Sequence, residues 1–79
     1  MEITRVVRLD YPATVVNRPI VNQLIRHFGL DVNILRAEVS PEVGWLLVEV
    51  RGLEEDYARA LDYIRQEGLK VTEYPPGQP

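Results

Sequence analysis

The stretch DVNILRAEVSPEVGWLLVEVRG, Asp31 to Gly52, carries the clearest signal of the architecture. Val32 to Ser40 alternates with a period of two, placing Asn33, Leu35, Ala37 and Val39 on one face and Ile34, Arg36 and Glu38 on the other. Gly44 to Arg51 alternates likewise, with Leu46, Val48 and Val50 on one side and Trp45, Leu47, Glu49 and Arg51 on the other. Between them SPEVG carries the proline and glycine of a turn, so the two segments predict a hairpin of half-buried strands.

Upstream, ITRVVRLD (residues 3–10) sets Ile3, Val7 and Leu9 against Thr4, Arg8 and Asp10, which predicts another strand. YPATVVNRP connects it to a helix in which Asn17 is the expected N-cap and Pro19 the first-turn proline. Ile20, Val21, Leu24, Ile25 and Phe28 supply its apolar stripe, and Gly29 its left-handed stop. After the hairpin, Leu53, Tyr57, Ala60, Leu61 and Ile64 make a second stripe over 53–67, with Glu54, Glu55 and Asp56 at the positive end and Gly68 closing it. Leu69 to Tyr74 reads as a fourth strand, and residues 75–79, PPGQP, as a flexible tail.

The expected order is therefore β-α-β-β-α-β over residues 1–74, one α+β domain with a four-stranded antiparallel sheet and two helices on one face, the ferredoxin-like arrangement. Folding the alternation onto it puts Val7, Leu9, Leu35, Ala37, Val39, Leu46, Val48 and Val50 beneath the helices. The opposite face receives Val6, Ile34, Trp45 and Leu47 among Arg8, Arg36, Glu38, Glu49 and Arg51. A tryptophan and aliphatics among balanced charges form either solvated surface or a contact with another subunit, and Ile34 and Trp45 are the residues expected at such an interface. A 79-residue chain buries only about 60 per cent of its unfolded surface, which favours the contact.

Composition narrows the chemistry. A net charge of -3 carries no surplus for a polyanion, so nucleic acid is not an expected partner. The absence of cysteine excludes disulfides, thiolate nucleophiles and iron–sulfur clusters, and fits a reducing, cytoplasmic setting. The start MEITRVV does not read as a signal peptide, and no apolar run is long enough for membrane insertion. The segment after the first strand, with two prolines and no glycine, does not read as a phosphate loop. Trp45 alone on the third strand does not make the aromatic platform of an RNA-binding sheet. His27, the one histidine, sits where it complements a helix C-terminus. The carboxylates of EEDYARALDYIRQE are spaced with arginines as on a solvated helix face. No catalytic residue, metal ligand or cofactor is expected.

Asn33 remains. By alternation its amide points to the helix side, where leaving it unpaired would cost about 1–3 kcal/mol. Backbone, water or fraying of the strand end could satisfy it, or it could anchor a small polar ligand with its two donors and one acceptor.

The tripeptide Asn33-Ile34-Leu35 opening the second strand, after the helix that begins with Pro19-Ile20, resembles the NIL domain family. The resemblance runs from Ile3 to about Val71. Domains of that family accompany the ATP-binding subunits of bacterial methionine importers, where they are regulatory, or precede a ferredoxin-like iron–sulfur module. The resemblance implies a ligand-sensing, dimerising domain with methionine at the domain interface. It implies ligand contacts for Asn33, and for Val39 and Leu46 on the apolar side. The expected function is a non-catalytic regulatory module, a homodimer binding a small sulfur-containing amino acid. The alternative is an adaptor that docks on a transporter or sulfur-metabolism enzyme and binds no small molecule. With neither thiolates nor clustered histidines available, elemental analysis of the purified protein should find no stoichiometric iron or zinc; near-equimolar amounts of either would contradict the expectation.

Overall fold

The structure is a computed structural model that describes residues 1–12, 19–42 and 44–75. Its elements are β1 (Glu2–Tyr11), α1 (Ile20–Phe28), β2 (Asp31–Val39), β3 (Gly44–Leu53), α2 (Glu54–Gln66) and β4 (Lys70–Tyr74). The strands form one antiparallel sheet in the order β2-β3-β1-β4, so the expected β-α-β-β-α-β architecture is the one observed. Asn17, the expected cap, and the tail from residue 76 lie outside the described residues. Pro19, expected in the first turn, is itself the N-cap of α1.

The central ladder pairs β1 with β3 along their whole length, with Val7 opposite Val48 and Leu9 opposite Leu46. Directly opposed residues share a face, so Ile3, Val7, Leu9 and Tyr11 lie on the same side as Leu46, Val48 and Val50. Both helices lie over that side. Ile20 and Leu24 of α1 and Tyr57, Ala60, Leu61 and Ile64 of α2 are buried in one cluster with Val7, Leu9, Val48 and Val50. Phe28 meets Tyr63 with ring centroids 5.4 Å apart, which ties the two helices together. Tyr57 donates its hydroxyl hydrogen to Glu73 Oε1 at 2.7 Å. Burial first, and then that bond, push its phenol well above its usual value, so it remains a donor.

Gly29 ends α1 at φ 66°, a left-handed conformation that a side chain disfavours, and its N–H donates to Leu24 O. The chain then drops Leu30 into the core. A Cβ on Gly52 would stand 2.6 Å from Leu30 Cδ2, so the glycine in β3 makes room for that leucine.

The second strand departs from simple alternation. Asn33 pairs with Glu49 and Ile34 with Val48, but Arg36 is next opposite Leu47, and one extra residue in β2 opposes β3 between them. This β-bulge reverses the facing of one end of the strand relative to the other. Asn33, expected under the helices, shares the open face with Glu49; Ile34, expected on the open face, lies with Val48 on the helix side. Leu35, expected in the core, borders a depression on the open face. Ala37 and Val39 do lie on the helix side, opposite Leu46 and Gly44, yet both are exposed because β2 is an edge strand.

The two strands thus contribute unequally to stability. Leu9→Ala, at a position fully excluded from solvent, should cost about 2–5 kcal/mol in denaturant unfolding. Ile34→Ala, at a position 52% exposed, should cost less than about 1 kcal/mol in the isolated chain.

Candidate functional site

Three depressions stand out on the described surface. A cavity of about 220 Å³ opens at the junction of α1, β2 and β3, walled by Tyr11, Ile20, Val21, Val39, Trp45 and Leu46, with Asn22 at its edge. It is mainly apolar because the ends of β2 and β3 present Val39 and Leu46 to the first turn of α1. The polar groups are few. Pro19 offers α1 no side-chain cap, and the backbone hydrogen bond from Gln23 N–H to Pro19 O, 3.1 Å long, leaves the N–H groups of Ile20, Val21 and Asn22 without an intrahelical acceptor. Burial pushes the Tyr11 phenol up to about 12, so it keeps its proton at physiological pH and can donate.

A second depression, of about 350 Å³, lies on the open face between Arg8, Leu35, Arg36, Trp45, Leu47 and Tyr74. Arg36, Leu47 and Arg8 stand in one row across β2, β3 and β1. The Arg8 guanidinium forks onto Asp10, with Nε at 3.1 and 3.2 Å from the two carboxylate oxygens and Nη2 at 3.0 Å from Oδ1. It also covers the Trp45 ring at 4.5 Å from the centroid. The third depression is polar, bordered by Asp31, Asn33, Glu49 and Arg51 on the same open face.

Of the residues expected to bind a ligand, Val39 and Leu46 come together in the first cavity, and Asn33 does not join them. Six strand positions separate Asn33 from Val39, roughly 20 Å at the rise of an extended chain, so one amino acid cannot touch both within a single copy. The desolvation cost inferred for Asn33 does not arise, because its side chain is exposed and no described buried side-chain nitrogen or oxygen lacks a partner. Ile34 and Trp45, expected together on one surface, lie on opposite sides of the sheet. Tyr11, Ile20, Val21 and Asn22 were absent from the sequence-based site. Tyr11 and Ile20 follow the core alternation of their elements, and only the docking of α1 beside Val39 turns them into a wall.

The comparisons with known proteins agree with this architecture. The NIL domain model matches residues 5–73. The chain belongs to the NIL domain family. It is 32% identical over 69 residues to the methionine import ATP-binding protein MetN of Vibrio vulnificus strain YJ016, covering 82% of this chain and 20% of that protein. It is 34% identical over 53 residues to the iron–sulfur subunit of L-aspartate semialdehyde sulfurtransferase of Methanocaldococcus jannaschii, covering 67% of this chain and 40% of that subunit. The NIL domain thus spans about a fifth of the importer relative and two fifths of the iron–sulfur subunit. In solved structures, the C-terminal domain of an ABC transporter ATP-binding protein from Enterococcus faecalis matches with a TM-score of 0.78 at 18% identity, over 91% of this chain and 84% of that one, which establishes likeness of fold. Among the described residues, no helix is long and apolar enough to cross a membrane.

Trp45 is the sole tryptophan, so its emission reports on the open face. Arg8→Ala should remove both the fork on Asp10 and the stack on the indole, shift Trp45 emission to longer wavelength, and lower stability by no more than about 1 kcal/mol.

Proposed function

We propose that this NIL domain is a non-catalytic, ligand-sensing module that works as a homodimer and takes a small amino acid, with methionine or a sulfur-containing relative the first candidate. The observation that carries the reading is the cavity where Val39 and Leu46 meet the first turn of α1. At about 220 Å³ it is smaller than the roughly 300–1,000 Å³ pockets of drug-sized ligands. An unbranched aliphatic or thioether side chain suits its walls. The first-turn N–H groups of α1, which have no acceptor within the helix, and the Tyr11 hydroxyl offer donors to a carboxylate. Membership of a family with methionine importers supports the choice of ligand class. As a regulatory unit, the domain would report the amino acid to a transporter or sulfur-metabolism protein.

A second reading is favoured by a different observation. The open-face depression, with Trp45, Leu35 and Leu47 between Arg8 and Arg36, suits an adaptor surface for a protein partner and needs no amino acid.

Thermal unfolding separates the two. An open cavity without a charged clamp corresponds to micromolar to millimolar binding, about 4–8 kcal/mol. Millimolar methionine should therefore raise the melting temperature, increasingly with concentration. Val39→Arg, at a position 69% exposed, should leave the unliganded protein folded and abolish that shift. Asn33→Ala should change unliganded stability by only about 0.5 kcal/mol, so loss of the shift in this variant identifies a ligand contact. If methionine, homocysteine, cysteine and S-adenosyl compounds all leave the wild-type transition unmoved, the amino-acid reading fails and the adaptor reading replaces it.

A further inference from the structure

We propose that the depression on the open face binds a small aromatic carboxylate, with Arg36 holding the anion and the wall formed by Arg8 on Trp45 taking the ring. The inference goes beyond the amino-acid reading and does not depend on it, because the site lies on the other side of the sheet from Val39 and Leu46. It also differs from the adaptor reading of the same face, since the ligand is a small molecule.

The bulge in β2 builds one wall. In a regular strand Leu35 and Arg36 would point to opposite faces; here both border the open-face depression. Arg36, Leu47 and Arg8 stand in one row across β2, β3 and β1, so the two arginines are two strand spacings apart, about 10 Å, with a leucine floor between them. Trp45 stands at one end of that floor, and Tyr74 of β4, opposite Val6, stands at the other. The volume of about 350 Å³ lies within the roughly 300–1,000 Å³ of small-molecule pockets, a range the first cavity does not reach.

Charge selects the ligand. Two of the six lining residues are arginines and none is acidic. The arginines are not equivalent. Arg8 spends Nε and Nη2 on Asp10 and lies 4.5 Å from the indole centroid, so its charge is compensated and its plane is fixed. It contributes a flat face. Arg36 is exposed and forms no ion pair with a described residue, although Glu38 shares its face two positions on. Its forked donors therefore match one carboxylate. A phosphoester would bring further negative charge to a single uncompensated cation on a chain of net charge -3. A zwitterionic amino acid would find no carboxylate among the lining residues for its ammonium group. A planar ring gains from the guanidinium and indole as well as from the leucines, whereas an aliphatic body gains from the leucines alone.

The test is a titration of the 79-residue domain with benzoate, followed in proton–nitrogen correlation spectra. Saturable shifts are expected at the Trp45 indole N–H and at the amides of Arg36, Leu47 and Tyr74, with Val21 and Asn22 unmoved. Benzamide, which keeps the ring and loses the charge, should bind at least about tenfold more weakly, and Arg36→Gln should weaken benzoate by a similar factor. Cyclohexanecarboxylate should bind about threefold more weakly. Excess methionine should not displace benzoate. Shifts centred on Val21 and Asn22, displacement by methionine, equal binding of benzamide, or unchanged affinity in a folded Arg36→Gln variant each overturn the proposal. So does the lack of any saturable shift at millimolar benzoate. In that event acetyl-Glu-Phe-Glu-amide decides the adaptor reading separately: shifts at Arg36, Leu47 and Tyr74 with this peptide alone return the depression to a protein partner and sink the small-molecule assignment.

Discussion

The pairing of β1 with β3 is the constraint that organises everything else. Val7 and Leu9 stand directly opposite Val48 and Leu46, and Val50 follows on the same face of β3, so these five form one apolar surface. Two helices are enough to cover that central pair and the near side of β4, where Tyr57 reaches Glu73. They are not enough to cover four strands. The helix-side residues of β2 beyond Val32 are consequently left in contact with water, and the exposed apolar surface collects at that edge.

The cavity follows from the same shortage. It forms where the first turn of α1 comes down beside the ends of β2 and β3, so half its wall is core and half is edge. Val39 belongs to the edge and is 69% exposed, so the cavity is open on that side. The open face supports a different chemistry. There the fork of Arg8 on Asp10 holds a guanidinium flat against Trp45, which stiffens an aromatic surface and neutralises one of its cations.

Family membership and site geometry contribute different things. The match over residues 5–73 places the chain with domains attached to methionine-import ATP-binding proteins and to an iron–sulfur subunit, and those two settings share no chemistry that this chain carries. What they share with this chain is the NIL domain itself. Asn33 illustrates the difference between a motif and a site. The tripeptide is recognisable in sequence, yet its asparagine is exposed, on the open face and far along the strand from Val39, so it does not join the cavity within the chain.

The order of elements, the hairpin, the amphipathic helices and the left-handed stop at Gly29 are legible in the sequence, because periodicity and turn chemistry are local properties. Val7, Leu9, Val48 and Val50 could be read as core for the same reason. The facing of Asn33, Ile34 and Leu35 was settled only when the strands packed. Nothing local distinguishes nine regularly alternating residues from eight with one inserted; the bulge exists because β2 must keep Val32 and Ile34, at one end, and Ala37 and Val39, at the other, in step with β3. The cavity was likewise beyond the sequence, since it is a gap between α1 and two strands and belongs to none of them. The sequence dictates which faces each element has, and the packing of elements against one another dictates which of those faces meet.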